Sequence, residues 1–148
     1  MGLEGLLNSD STPTLRAVAR FASARHRLIL GNIANISTPG YQTQDVSVRG
    51  FQRELAKAVE RRRAGGDGDA SGAELDLKST DEFTVSDSGD ISLVPQKTGG
   101  NVLFHDRNNR DLERLMQDLT ENATMFRLAT DLLRSRTAML ESAIRERP

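Results

Sequence analysis

The sequence contains no cysteine and no tryptophan, and its 148 residues include only one tyrosine and four prolines. Without cysteine the chain has no disulfides, no thiolate nucleophile and no cysteine-based zinc site. Aromatic residues make up 4% and hydrophobic residues 36% of the chain, which argues against a thick globular core. The formal net charge is −1, so no bulk attraction to nucleic acid or to a membrane surface follows.

Long hydrophobic runs are also missing. A bilayer-spanning helix needs about 18 or more consecutive apolar residues, and no stretch of this sequence supplies them. The first residues, MGLEGLLNSDSTP, contain neither a basic region nor a long apolar run. We therefore expect no transmembrane segment and no cleaved signal peptide.

Side chains that could perform chemistry do not converge. The two histidines, His26 and His105, have no second ligand at metal-binding spacing on the same helical face, and a solvated surface position is the better interpretation of each. Residues 67–72 match the start of a calcium-binding EF-hand loop, but Lys78 stands where the final carboxylate is required. The three arginines at 61–63 suit the end of a helix better than a phosphate site, since no aromatic platform accompanies them. We expect no catalytic residue, metal or cofactor.

A helix is predicted near the N-terminus. Ser11 and Thr12 offer N-caps ahead of Pro13, which is tolerated at the first helical position. Apolar residues then recur with a seven-residue spacing at Leu15, Ala22, Ile29 and Ile36, and Val18 and Ile33 fill neighbouring core positions. We assign residues 1–13 to a flexible N-terminus and residues 14–44 to this helix and the turn that follows it.

The helix is predicted to stop at Asn35. Pro39 favours the second position of a β-turn, and Gly40 can adopt the positive φ that a type II turn needs at its third position. Asn32 and Asn35 lie three residues apart on one helical face, in the last turn, where backbone carbonyls lack partners. We expect both amides to satisfy the backbone at the helix end.

The middle region, residues 45–107, is polar and irregular. It contains a short strand pattern at 45–48, a helical pattern at 51–63 and a Gly- and Asp-rich segment at 64–73 that predicts a mobile linker. A hairpin is predicted over residues 83–93, with Phe83, Val85, Ile91 and Leu93 on one face. Residues 102–104 could add a further strand.

A second long helix is predicted within residues 108–148. Apolar residues fall at strict sevens, with no Gly or Pro before Pro148, and three more, Met116, Ala123 and Ile144, lie four residues beyond members of the series. The predicted fold class is mainly α. The two terminal helices pair as an antiparallel coiled-coil-like bundle, around a small, partly disordered middle region with short β elements. The second helix exceeds its partner in length, so part of its stripe is left for other subunits. The helix-packing residues are Leu15, Val18, Ala22, Ile29 and Ile33 on the first helix and Leu112, Met116, Leu119, Phe126, Leu133, Leu140 and Ile144 on the second.

Both ends of the chain resemble one protein family. The stretch GNIANISTPGY at residues 31–41 resembles the N-terminal signature of the bacterial flagellar rod and hook axial proteins, and its Pro-Gly-Tyr ending is most similar to proximal rod members. Residues 106–113 resemble the start of that family's terminal helix. The chain departs from the family at Gly31, where Ala is usual, and at Arg107 and Arg110. The resemblance leaves residues 50–100 unmatched.

The resemblance implies a structural subunit of the proximal rod of the flagellar basal body, and not an enzyme. The implied partners are copies of the chain, other proximal rod subunits, the rod-base adaptor and the type III export apparatus, with no nucleic acid and no small-molecule substrate. The implied location is the periplasmic rod. On this hypothesis Asn32, Asn35, Thr38, Pro39, Gly40 and Tyr41 form an assembly motif, in which Pro39 and Gly40 aim Tyr41 across a neighbouring subunit. A soluble coiled-coil adaptor that binds a partner helix without polymerising is the alternative.

Overall fold

The computed structural model describes residues 11–64, 75–97 and 112–145. This part of the chain forms three helices and four short strands. In chain order these are α1 (Ser11–Asn35), β1 (Gln44–Asp45), α2 (Val48–Ala64), β2 (Phe83–Val85), β3 (Ile91–Leu93), β4 (Gln96–Lys97) and α3 (Leu112–Arg145). The fold is mainly helical, with small antiparallel strand pairs in the middle, as the sequence predicts.

Helix α1 ends at Asn35, as predicted, but begins at Ser11, three residues before the predicted start. Pro13 lies in the first helical turn, where backbone N–H groups have no partner within the helix, so its missing N–H costs nothing there. The expectation that residues 11–13 belong to a flexible N-terminus is therefore wrong.

Helix α2 covers Val48–Ala64, so it also begins three residues earlier than the sequence pattern predicts. Ser47 caps it, because its hydroxyl accepts a hydrogen bond from the Gly50 amide at 2.9 Å. The Ser47 amide in turn donates to a Glu82 carboxylate oxygen at 2.7 Å. The predicted strand at 45–48 is correspondingly shorter, and β1 pairs antiparallel with β4 through Gln44 opposite Lys97 and Asp45 opposite Gln96.

The hairpin predicted over residues 83–93 is present. Strands β2 and β3 pair antiparallel with Thr84 opposite Ser92, and Gly89 takes a positive φ of 73° in the connecting turn. Phe83 and Ile91 are buried, while Val85 and Leu93 are half-buried on the edge of the same cluster. The alternation of apolar and polar residues is thus explained by one face packing against the rest of the fold.

The main hydrophobic cluster lies between α1, α2 and the hairpin. At its centre the Phe21 and Phe51 rings stack with centroids 4.0 Å apart, and Phe83 meets Phe51 edge-on at 5.7 Å. These three residues are called the phenylalanine cluster below. Val46, Ala58, Leu75 and Leu77 are also buried in this region. The described middle of the chain is therefore better packed than its polar composition suggests, because its few apolar residues pack together against α1.

Helix α3 packs along α1 on another side. The Asn122 amide of α3 donates to the Ala22 carbonyl of α1, and Asp118 lies 3.6 Å from Arg25. Residue numbers rise along α1 as they fall along α3, so the helices are antiparallel, as predicted. We call this contact the helix seam.

The sequence places the wrong residues of α3 in the seam. The buried side chains of α3 are Leu115, Asn122 and Ala129, a seven-residue series that is shifted from the predicted one. Leu119 and Leu133 are half-buried, whereas five predicted packing residues are 40–74% exposed: Leu112, Met116, Phe126, Leu140 and Ile144. The sequence criterion follows hydrophobicity, but two of the three buried positions hold a polar residue, Asn122, and a small one, Ala129. On α1 the prediction is closer, with Ala22 and Ile29 buried and Leu15, Val18 and Ile33 half-buried.

Several predictions fall outside the described residues. These are the mobile linker after residue 64, the possible strand at 102–104, His105, and the family-like segment before Leu112. Among the helices that the structure does describe, none is long and apolar enough to cross a membrane.

Candidate functional site

The turn after α1 has the predicted geometry. The Tyr41 amide donates to the Thr38 carbonyl at 3.1 Å, which closes a four-residue turn with Pro39 and Gly40 at its centre. Gly40 has a φ of 75°, the left-handed value that the third position of a type II turn requires. Thr38, Pro39 and Gly40 are all exposed. The turn is therefore rigid in shape and open to contact from outside.

Asn35 performs the predicted role at the helix end. Its side-chain amide donates to the Gly31 carbonyl at 2.8 Å, one of the last carbonyls of α1. The Asn35 carbonyl accepts from the Thr38 amide at 2.9 Å. Since Asn35 is exposed, water could replace its side-chain bond, and the contribution to stability is small.

Asn32 has a different role from the predicted one. Its side-chain amide donates to the Gln44 carbonyl at 2.6 Å, and its oxygen accepts from the Gln44 amide at 3.1 Å. Asn32 thus pairs with β1 as a neighbouring strand would, and does not satisfy the helix end. Asn32 is only 2% exposed, so the loss of these bonds would leave the backbone amide and carbonyl of the half-buried Gln44 without these partners.

Tyr41 also departs from the hypothesis. Its hydroxyl donates to the Asn32 side-chain oxygen at 2.9 Å, and the residue is half-buried. The turn therefore folds Tyr41 back onto α1 in this chain, instead of directing it outward. The reason is that Asn32 offers a buried oxygen with room for a second donor.

A buried arginine completes the arrangement. Arg25 is 5% exposed and donates to both carboxylate oxygens of Asp45 in β1, from Nε at 3.0 Å and from Nη2 at 2.7 Å. Asp118 of α3 lies 3.6 Å from the same nitrogen Nη2. Burial alone lowers the pKa of Arg25, but the hydrogen bond and charge of Asp45, with those of Asp118, outweigh it and raise the pKa above its usual value. Arg25 therefore stays charged and links α1, β1 and α3.

We call Arg25, Asn32, Tyr41, Gln44 and Asp45 the polar cluster. Sequence reasoning found Asn32 and Tyr41 and missed the contribution of the other three. One signal was available, because Arg25 and Asn32 interrupt the apolar stripe of α1 seven residues apart. A polar residue repeated at core spacing indicates a buried polar partner, but the sequence alone cannot name that partner.

The polar cluster joins α1 to the backbone and side chains of the turn and β1. Within residues 11–64, 75–97 and 112–145, no group of three or more histidine or carboxylate side chains could hold a metal ion. What the site presents outward is the rigid Thr38-Pro39-Gly40 turn, at the end of the helix pair.

Comparison with known proteins agrees with the resemblance found in the sequence. No protein-family model matches the chain. The chain is 27% identical over 110 residues to the flagellar basal body rod protein FlgB of Borrelia hermsii, an alignment that covers 74% of this chain and 77% of that protein. The predicted similarity to a flagellar rod protein of the FlgB kind is thereby confirmed.

Proposed function

We propose that this chain is a structural, non-enzymatic subunit of the proximal rod of the bacterial flagellar basal body. Two findings support the proposal: the similarity to a basal body rod protein over three quarters of the chain, and the long antiparallel pair formed by α1 and α3. The observation that carries it is the row of apolar side chains that α3 leaves exposed.

The exposed row provides the assembly surface. Leu112, Met116, Phe126, Leu140 and Ile144 are 40–74% exposed, although their spacing is typical of helix-packing residues. Large apolar side chains concentrated on one helix favour burial against another protein. We propose that copies of this chain and related rod subunits cover them. Contacts between unlike surfaces that do not close into a ring generate a helical tube.

The turn provides a second contact. Asn35, Thr38, Pro39 and Gly40 are exposed, and the turn is fixed in shape by the hydrogen bond between Thr38 and Tyr41. The polar cluster ties Tyr41, the last residue of the turn, to Asn32 of α1 by a hydrogen bond of 2.9 Å. We propose that this rigid outer half of the motif docks on a neighbouring subunit, whereas Asn32 and Tyr41 support it from inside.

Export and location complete the proposal. A chain without cysteine can be threaded unfolded, since no disulfide has to be reduced first. The type III export apparatus is the proposed route to the periplasmic rod, without a cleaved signal peptide. The proposed neighbours are other proximal rod subunits and the rod-base adaptor.

The alternative is a soluble adaptor that uses the same α3 surface to bind one partner helix without polymerising. Electron microscopy of cells that lack the gene separates the two, because a rod subunit is required for rods and hooks. Intact rods and hooks in such cells would contradict the proposal.

A surface test uses the same cells. Expression of the chain with Phe126→Ser and Leu140→Ser should fail to restore rods and motility, while the purified variant keeps its melting temperature, because both side chains are exposed. Lys57→Ser, an exposed change on α2, serves as the matched control and should restore both. Full complementation by the α3 variant would exclude this surface from assembly.

A further inference from the structure

The helix seam is built from small and polar residues at its centre. Ala22 of α1 is fully buried, and Ala129 of α3 is 2% exposed. Asn122, at 1% exposed, is among the largest fully buried side chains of the described residues. This centre of the seam gives little resistance to sliding, because few large side chains interlock there.

Within the described residues, only one of the two polar groups of the Asn122 side chain has a hydrogen-bond partner. Its amide nitrogen donates to the Ala22 carbonyl at 2.8 Å, whereas its side-chain oxygen is buried and has no hydrogen-bond partner in the described structure. The Ala22 carbonyl lies inside α1 and can also accept the helical bond from the amide four residues on. The Ala22 carbonyl therefore has a partner even without Asn122. The unpaired, buried oxygen of Asn122 lowers the stability of the fold.

The register of the helix seam gives a reason for a buried asparagine at position 122. With Ala22 opposite Asn122, the positions one heptad away place Leu15 opposite Ala129 and Ile29 opposite Leu115. A slip by one heptad would bring Asn122 opposite Leu15 or Ile29 instead of Ala22. The branched side chains of Leu15 and Ile29 would keep the Asn122 amide away from the backbone carbonyls of α1 at these positions. The amide would then be buried with no partner at all.

We infer that Asn122 fixes the register of the α1–α3 pair at the expense of its stability. A single buried asparagine is known to select register in coiled coils in the same way. The ion pair between Arg25 and Asp118, at 3.6 Å, supports the same register from the neighbouring turn. This inference concerns the isolated chain and does not depend on its proposed assembly.

Cysteine cross-linking tests the inference, because the chain has no cysteine of its own. The pair Leu15→Cys and Ala129→Cys reports the native register, and the pair Leu15→Cys and Arg136→Cys reports a one-heptad slip. Each pair is placed in the full chain with Asn122 retained, with Asn122→Leu, and with Thr124→Leu as an exposed control on the same helix. The readouts are cross-link yield under mild oxidation and melting temperature without cysteines.

With Asn122→Leu we expect the slipped cross-link to increase about tenfold, since a buried amide no longer disfavours that register. We also expect the melting temperature to rise by about 2–4 °C. Thr124→Leu should change neither value. A slipped yield that stays at the level of the unchanged chain, or a lower melting temperature, would overturn the inference. If Asn122→Leu does not fold, Asn122→Ala in the same assay must show the increased slip, and its absence there is equally contradictory.

Discussion

The two sides of α1 contrast sharply. Toward the middle of the chain α1 presents Phe21, which stacks on Phe51 within the phenylalanine cluster. Toward α3 it presents Ala22, opposite a buried asparagine. The first side is held mainly by aromatic and aliphatic packing. The second has small and polar residues at its centre, flanked by apolar residues such as Ile29 and Leu115.

This contrast separates stability from geometry. Burial of large apolar side chains is strong but tolerates some rearrangement, while buried polar groups demand one arrangement of their partners. The middle of the chain therefore anchors α1, and the seam with the polar cluster sets how α3 and the exposed turn are placed. The effects of substitutions on the two sides should therefore differ, both in the loss of free energy of unfolding and in its physical cause.

The largest effect is expected on the apolar side. Phe51→Ala removes the central ring of the phenylalanine cluster and should lower the free energy of unfolding by about 3–5 kcal/mol. Phe126→Ala, on the exposed row of α3, is the matched control and should change it by less than about 0.5 kcal/mol. Urea denaturation followed by circular dichroism measures both. Similar losses in the two variants would remove the distinction between core and assembly surface.

The next effect is expected in the polar cluster. Arg25→Ala leaves Asp45 without its buried partner and should cost about 2–4 kcal/mol, because breaking one half of a buried ion pair strands the other half. Arg134, which pairs with Asp131 at 3.6 Å on the surface of α3, provides the control, and Arg134→Ala should cost at most about 0.5 kcal/mol. The same denaturation experiment applies, with Asp45→Asn completing a double-mutant cycle. A coupling energy near zero between Arg25 and Asp45 would show that the pair does not link α1 to β1.

A smaller difference should separate the two asparagines of the motif. Asn32→Ala removes a buried side chain and both its hydrogen bonds to the Gln44 backbone and should cost about 2 kcal/mol, whereas Asn35→Ala, at an exposed helix end, should cost less than about 0.5 kcal/mol. Tyr41→Phe removes one hydroxyl and should fall between them, near about 1 kcal/mol. Thermal unfolding of the purified variants gives the order. Equal losses of stability for Asn32→Ala and Asn35→Ala would indicate that both amides act only at the helix end, as the sequence suggests.

The smallest effect concerns the glycines. A Cβ at Gly31 would meet nothing within 4 Å, so Gly31→Ala should stabilise the chain by about 0.5–1 kcal/mol through helix propensity alone. Gly40→Ala should destabilise it by about 1 kcal/mol, because its φ of 75° is unfavourable for alanine. Differential scanning calorimetry resolves these shifts. A destabilising Gly31→Ala would mean that Gly31 serves the fold in a way that its open surroundings do not reveal.

Local patterns in the sequence were sufficient to predict most of the fold. The seven-residue spacing on α1, the alternation around Gly89 and the Pro39-Gly40 turn each depend on neighbouring residues, and the structure has all three. Hydrophobicity alone points to the wrong face of α3. Leu112, Phe126 and Leu140 form the more apolar series, but Leu115, Asn122 and Ala129 face α1.

The candidate site was predicted only in part for a similar reason. The backbone turn follows from Pro39 and Gly40 alone, and Asn35 acts within its own helix. The partners of Asn32 and Arg25 lie 12 and 20 residues away in sequence, and nothing in Gln44 or Asp45 marks them as buried partners. Such contacts depend on which part of α1 packs against β1, and local sequence patterns do not reveal that.

Native-state hydrogen exchange on the purified chain tests the central contrast most directly. We predict that the amides of α1 between residues 17 and 29 and of α2 between residues 51 and 58 exchange slowest. Amides of α3 between residues 115 and 129 should exchange at least about tenfold faster, because the seam opens before the apolar core does. Protection in α3 equal to or greater than that in α1 and α2 would contradict the account.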